Sequence, residues 1–272
     1  MPEIDEERHE KEYISLFAIF QRLMDLREDD DARLETVEEL MALRAEYAIR
    51  HACDGFNLTF DEALALLQKT DNLSELDATR RDILIAAVDN LVDFSVAEEY
   101  QMLLDIPDDE GDDDDEEEIK IFRTYNHRYA KIENADVEYA MIVAAALATV
   151  RRNAILTYMT QGDERVRPWH RAYEGFSAPK SSFPHWLVPP IEHMCRCYLI
   201  EDDVYDSVQA AANPKNLKMP DWFNPTFKES VAFGGRIFSD EHPYFQIDPA
   251  HVGKLQEIAD RIKARYLNAT FS

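Results

Sequence analysis

The spacing of apolar residues predicts helices at the start of the chain. Leu16, Phe20 and Leu23 recur at intervals of three or four over positions 13–27, as they would on one face of a helix. The same spacing follows Asp31, which can cap a second helix. We expect these two helices to form an antiparallel pair.

Two further helices are predicted before position 106. Thr59 and Glu62 form a Thr-x-x-Glu capping box ahead of the apolar residues at 63–69. Asp77 can cap a long helix that continues to about position 104 with regularly spaced aliphatic residues. The first part of the chain is therefore predicted to be all-helical.

The pattern of apolar residues changes after position 118. Helices are predicted over 119–133 and 136–153, and the second is apolar on almost all sides, which suits a buried helix. Positions 155–160 and 195–200 favour strands, and a loop rich in proline and aromatic residues separates them. This part of the chain is predicted to mix helices and strands.

Prolines interrupt the last sixty residues. Those at positions 214, 220, 225, 243 and 249 exclude a long helix over 213–249 and predict irregular structure with short strands. Pro249 suits the first turn of an amphipathic C-terminal helix, which we expect to dock on the second half of the chain. The apolar positions of that helix are Val252, Leu255, Ile258, Ile262 and Tyr266.

Charge divides the chain at the same place. Before position 119 there are 37 acidic and 10 basic side chains, and from there on there are 18 acidic and 19 basic ones. Residues 107–118 include ten acids, whose mutual repulsion predicts an extended, solvated linker; the alternative is an acidic contact for a basic partner or a metal. We predict an α+β chain with an acidic all-helical domain at 1–106, a linker at 107–118, and a mixed α+β domain with a C-terminal helix at 119–272.

Composition excludes several classes of protein. A net charge of −26 repels DNA and anionic membranes at long range, although the nearly neutral second part can still contact DNA locally. No apolar stretch reaches the roughly 20 residues of a membrane span, and the N-terminus lacks the pattern of a signal peptide. Cys53, Cys195 and Cys197 are too few for a disulfide framework. We expect a chain made in a reducing compartment, with no membrane partner.

The segment 162–197 carries most of the chemically informative residues. It reads Asp-Glu-Arg-Val-Arg-Pro-Trp-His-Arg from 163, has Gly at 175, continues through a proline-containing loop, and ends with Pro-Pro at 189 and Cys-Arg-Cys at 195. In order and spacing this segment resembles the phage Mu F-like head-morphogenesis family. The matching residues are Asp163, Arg165, Arg167, Pro168, His170, Arg171, Gly175, Pro189, Pro190, Cys195, Arg196 and Cys197.

The resemblance implies a minor capsid protein of a tailed phage or prophage. Members of the family are present in few copies and act in head assembly or in the fate of packaged DNA. The expected partners are the portal, the major capsid or scaffold proteins, and phage DNA. The expected location is the virion, in the head interior or near the portal, after assembly in the host cytoplasm. Met194 stands where many members have Gly or Asn, so we expect the local turn to differ.

The two neighbouring cysteines raise the question of a metal. On a strand, Cys195 and Cys197 would face the same side about 7 Å apart, where a disulfide is strained and zinc is better suited. The alternative is that both thiols are small buried apolar groups and that His170 hydrogen-bonds the loop. The candidate ligands of a structural zinc ion are His170, His193, Cys195 and Cys197, with Asp163 or His185 as alternatives to His193.

Other side chains of the segment leave their roles open. The arginines can form salt bridges with Asp163 and Glu174 or hold phosphate, and Trp169 and Trp186 can stack on a base or pack the loop. A small metal- or histidine-dependent enzyme acting on nucleic acid through His170, Asp163 and Glu174 is the main alternative function, and a free DNA-binding module is the third. Because no established catalytic motif occurs, we predict a structural protein rather than an enzyme.

Overall fold

Four helices form the part of the molecule that precedes the acidic segment. The structure, a computed structural model, describes residues 3–26, 30–107, 114–202 and 217–267. The first four helices are α1 (Glu6–Asp25), α2 (Asp30–Gly55), α3 (Phe60–Gln68) and α4 (Glu75–Asp105). Their number and order are as predicted, and α2 packs against both α1 and α4.

The structure confirms one of the three predicted helix caps and corrects the other two. The Thr59 and Glu62 side chains form the predicted capping box of α3. Helix α4 is capped by Ser74, whose side chain accepts the backbone N–H of Asp77, so Asp77 lies inside the helix. Helix α2 begins at Asp30, which places Asp31 in its first turn. All these polar side chains satisfy or lie near the free N–H groups of a helix start.

The segment after the acidic residues is one long helical stretch instead of two separate helices. Helix α5 (Asp114–Arg123) continues through a π-helical segment (Thr124–Tyr129) into α6 (Ala130–Thr149). The predicted linker is therefore wrong for 114–118, because acidic side chains are stabilised in the first turn of a helix. Residues 108–113 of that linker lie outside the described ranges.

A small sheet and irregular turns follow α6. The strands are β1 (Ile155–Met159), β2 (Ser177–Pro179) and β3 (Tyr198–Asp202), and β1 lies between the other two and pairs antiparallel with both. The first strand is as predicted, but the second predicted strand begins too early, since Cys195 and Cys197 precede β3. The described part of 213–249, which is 217–249, is irregular as predicted, with turns and short 3-10 segments, but it contains none of the short strands that we expected. The fold is the predicted mostly helical α+β class.

The hydrophobic core is continuous between the two predicted domains. One cluster of buried residues extends from Met41 in α2 to Leu267 in the C-terminal helix. That helix, α8 (Pro249–Leu267), packs mainly on α4 and also on α3, so it docks chiefly on the first half of the chain. The Phe94 and Phe238 rings also stack across the boundary, with centroids 4.3 Å apart. The division into domains stays a prediction, although the cores of its two parts are shared.

A network of buried charged residues lies where α2, α4 and α6 meet. The Arg44 side chain is almost fully buried, and its guanidinium lies 2.9 Å from a carboxylate oxygen of Glu98 and 3.1 Å from one of Glu133. The Glu99 carboxylate is also buried and accepts a 3.2 Å hydrogen bond from Asn126 of the π-helical segment. Burial raises the pKa of Glu98 well above its ordinary range and that of Glu99 to about 7.

No helix in the described part of the chain has the length and apolar character that a membrane span requires.

Candidate metal centre

A short helix and a hairpin position the residues of the segment 162–197. Pro168 occupies the first turn of α7 (Pro168–Arg171), where its fixed φ and missing N–H are favourable. Gly175 has a φ of 81° and ends the connection between β1 and β2, with its N–H bonded to the carbonyl of Tyr158 at 2.8 Å. These constraints hold α7 beside the start of β3.

The helix α7 places His170 directly against the two cysteines. The His170 Nδ1 atom lies 3.4 Å from the Cys197 sulfur and 3.9 Å from the Cys195 sulfur. The three ligand atoms lie within 4.8 Å of one another, and among the described residues these side chains form a group that can hold a metal ion. All three are almost completely buried, with 1–2% of their surface exposed.

Three side-chain nitrogen atoms lie close to one carboxylate oxygen of Glu192. Its Oε2 lies 3.0 Å from His170 Nε2, 3.1 Å from Trp169 Nε1 and 3.2 Å from Arg167 Nε. A carboxylate at Nε2 favours the tautomer with its proton on that nitrogen, which leaves Nδ1 directed at the thiols. The ring is therefore oriented as that of a metal-binding histidine would be.

The arginines of the segment mainly bind other parts of the same segment. Arg196 donates two hydrogen bonds to the Asp163 carboxylate, at 2.7 and 2.8 Å, and these lower the pKa of Asp163 to about 2. Arg171 donates to the backbone carbonyl of Asp163, and Arg167 donates to that of His193. Arg165 lies 3.8 Å from the Asp163 carboxylate, with its side chain 79% exposed. The salt-bridge alternative therefore fits Arg165, Arg167 and Arg196, whereas Arg171 binds a backbone carbonyl.

The candidates for a fourth protein ligand have other partners. His193 Nδ1 lies 2.8 Å from the fully buried Asp136 carboxylate; burial lowers the pKa of His193, and the interaction with Asp136 raises it by more. The His185 ring stacks on Phe233, with centroids 4.5 Å apart. Asp163 is held by an arginine, as described above. The predicted ligand His193 stays a prediction: it is not part of the group of His170, Cys195 and Cys197 that can share an ion, and its ring is oriented by Asp136 on α6.

The two thiols share one hydrogen bond. The interaction with the Cys197 thiol raises the pKa of Cys195 well above its ordinary range, and the same interaction lowers the pKa of Cys197. The third cysteine, Cys53, lies on α2 outside the cluster, and burial raises its pKa to about 12. Cys195 and Cys197 are thus a coupled pair, whereas Cys53 is an isolated buried thiol.

The thiol of Cys197, the imidazole of His170 and the carboxylate of Glu192 follow one another in an order that suits two kinds of chemistry. A cysteine nucleophile activated by a histidine and oriented by an acid has this order of groups, and so has a zinc site with an outer carboxylate. A nucleophile must reach a substrate, but the Cys197 side chain is buried. The enzyme residues predicted with His170 have other partners, since the Glu174 carboxylate accepts a hydrogen bond from Thr160 and the Asp163 carboxylate binds Arg196. The arrangement therefore favours a bound ion.

Three residues around this cluster were missed in the sequence. Glu192 lies between the Pro-Pro and Cys-Arg-Cys elements, at a position that the resemblance leaves free. Tyr158 lies on β1, and Asp136 lies on α6, 57 residues before its partner His193. The proximity of Glu192 to the motif was a signal, but nothing in the local pattern indicates Tyr158 or Asp136.

No protein-family model, curated protein or solved structure matches this chain. The function proposed below is therefore supported by the residues of the chain and their geometry.

Proposed function

We propose that this chain is a minor capsid, head-morphogenesis protein of a tailed phage or prophage, which acts in procapsid assembly near the portal and in the handling of packaged DNA. Its function is binding within an assembly and not catalysis. The observation that carries the proposal is the series of motif residues in the segment 162–197, because residues far apart in that series form one connected unit.

The bonds among the motif residues support this proposal. Asp163 pairs with Arg196, and His170 contacts Cys197, so the two ends of the motif are joined twice. Met194 has a φ of 58°, which is the conformation that Gly and Asn adopt most readily. This backbone is compatible with the Gly or Asn that many members have at this position, and the expectation of a different turn stays a prediction.

The test is copurification from the host that encodes the chain. Procapsids and virions separated by density should contain this chain at low copy beside the portal protein, as measured by quantitative mass spectrometry. Arg167→Ala should reduce its incorporation, because Arg167 fixes the backbone of the motif loop, whereas Arg152→Ala, an exposed control outside the motif, should not. Particles that assemble normally without the chain would overturn the proposal.

We also propose that a structural zinc ion is the cofactor of this segment. One imidazole nitrogen and two thiols, brought together without solvent, are the donor set that zinc prefers, and such an ion would tie α7 to the start of β3. The alternative of two apolar buried thiols leaves Nδ1 facing only thiols, which are weak hydrogen-bond partners.

Metal analysis of the purified full-length chain tests the zinc proposal. We expect about one zinc ion per chain by mass spectrometry of the metal content. The double variant Cys195→Ser/Cys197→Ser should hold none, and Cys53→Ser, which changes the isolated thiol, should hold as much as the wild type. Wild-type protein without stoichiometric zinc, after purification in the absence of chelators, would refute the cofactor.

A further inference from the structure

The cluster of His170, Cys195 and Cys197 has two further polar neighbours to which no motif assigns a role. One is Glu192, whose carboxylate binds Nε2 of the imidazole on the side away from the sulfurs. A carboxylate at this place fixes both the tautomer and the ring orientation of a metal-binding histidine. The same oxygen is bound by Arg167 and Trp169, so it is itself held in position from two sides.

The other neighbour is Tyr158, on the central strand β1. Its side chain is completely buried, and its electrostatic interactions are with Cys195 and Cys197. The hydroxyl lies beside the Cys197 sulfur, but among the described residues no partner bonds it with good hydrogen-bond geometry. A thiolate sulfur, which metal binding creates, accepts a hydrogen bond more strongly than a neutral thiol does.

We propose that Glu192 and Tyr158 are positioning residues of a zinc site whose protein ligands are His170, Cys195 and Cys197. Glu192 orients the imidazole, and the Tyr158 hydroxyl donates to the sulfur of Cys197 once the thiol has lost its proton to solvent on zinc binding. The ligand set is limited to these three side chains, because among the described residues they form the group that lies close enough to share one ion. This inference rests on the proposed zinc cofactor and is independent of the proposed role in head assembly.

Zinc binding releases protons from the thiols and involves no redox step. Zn²⁺ displaces one proton from each thiol, and two sulfur–zinc bonds form with one nitrogen–zinc bond. Both protons leave to solvent, and no electron is transferred. The Tyr158 hydroxyl keeps its proton and donates it in a hydrogen bond.

The experiment is a competition titration of the metal-free full-length protein with Zn²⁺ against a chromophoric chelator. We expect Glu192→Gln to lower zinc affinity roughly 10–100-fold, as removal of an outer carboxylate usually does. Tyr158→Phe should lower it on the order of tenfold, because one hydrogen bond to the sulfur is lost. The matched controls are Glu174→Gln, a carboxylate of the same segment that binds Thr160, and Tyr173→Phe, and both should bind as the wild type does.

Melting temperatures and the spectrum of the cobalt-substituted protein distinguish a positioning role of Tyr158 and Glu192 from a general effect on stability. The melting temperature of metal-free Tyr158→Phe should equal or exceed that of metal-free wild type, because the variant removes a buried oxygen that lacks a well-formed hydrogen bond. The cobalt-substituted wild type should show a sulfur-to-cobalt charge-transfer band, which Glu192→Gln should shift or weaken.

The possible outcomes are distinguishable. Equal zinc affinity in the wild type and both variants would overturn this inference while leaving the zinc cofactor intact. Absence of zinc binding by the wild type would overturn both. X-ray absorption that finds a third protein sulfur, or only ligands other than sulfur, would also refute the ligand set. The head-assembly proposal has a separate readout, which is the presence of the chain in purified procapsids.

Discussion

Two buried polar clusters of this protein differ in how their members are held together. The cluster of His170, Cys195 and Cys197 joins residues that lie within 27 positions of one another, in a segment of turns. The helical network joins Arg44 of α2 to Glu98 of α4 and, across 89 positions, to Glu133 of α6. The first cluster has a donor set suited to a cation from outside the chain, whereas the second supplies its own cation.

This difference implies that the two clusters respond to different changes in the protein and in the solution. Arg44 is always charged, and the carboxylates of Glu98 and Glu133 raise its pKa further, so the helical network is complete with protein groups alone. The thiol cluster contains no arginine or lysine, so the positive charge of a bound ion would come from outside the chain. The helical network should therefore respond to mutation and pH, and the thiol cluster to metal and chelators.

The largest effect is expected from removing the cation of the helical network. Arg44→Met should lower the free energy of unfolding by about 3–5 kcal/mol, because it leaves Glu98 and Glu133 buried without a counter-charge. Urea denaturation followed by circular dichroism measures this. The control is Arg22→Met, which removes the exposed pair with Glu39 and should cost less than about 1 kcal/mol. Equal effects of the two variants would contradict the assigned role of Arg44.

The same network should make stability depend on pH. The pKa of Glu99 is 4.5 ordinarily and about 7 in the folded state, so the folded protein holds an extra proton between these values. Stability should therefore fall by about 3 kcal/mol as pH rises from 4.5 to 7. His51 and His193, whose pKa values are raised in the folded state by the carboxylates of Glu12 and Asp136 against the effect of burial, act in the same direction above pH 6.5.

Urea denaturation at pH 5, 6, 7 and 8 checks this expectation. Glu99→Gln should flatten the curve, because the amide has no proton to lose, and it should leave the parts that Glu98 and the histidines contribute, since their pKa values are also raised in the folded state. A stability that rises over this range, or a slope that is unchanged in Glu99→Gln, would show that the carboxylate is not the source. Chelators should leave the slope as it is.

The smallest of the three effects is expected from the metal. At a hundredfold excess of free zinc over its dissociation constant, the wild type should gain about 2.7 kcal/mol, or roughly 5 °C in melting temperature, and a chelator should remove this gain. Cys195→Ser/Cys197→Ser should be insensitive to both zinc and chelator, whereas Cys53→Ser should respond as the wild type does. A chelator response that persists in the double variant would place the metal elsewhere.

Local features of the fold were predictable because short-range forces produce them. The four first helices, the capping box of Thr59 and Glu62, the strand β1 and the C-terminal helix from Pro249 all follow from periodicity and end residues. The π-helical segment was missed, because nothing in its sequence separates it from an α-helix. The docking of α8 was also wrong, because an amphipathic pattern indicates that one face is buried and not which element covers it.

The residues of the candidate site were also predictable only in part. The motif indicated His170, Cys195 and Cys197 as candidate ligands, and these three side chains lie together in the structure. His193 could not be separated from His170 by residue type, since each is a histidine near the cysteines. The choice depended on Asp136, which α6 supplies from a distant part of the chain.

The sequence by itself determined the helices, the charge difference and the identity of the groups that can bind a metal. Only the tertiary structure decided which of those groups meet, that Glu192 and Tyr158 lie beside them, and that Arg44 is surrounded by acids. The physical reason is that helix periodicity and capping act over a few residues, whereas the partner of a buried charge is set by the packing of elements far apart in the chain.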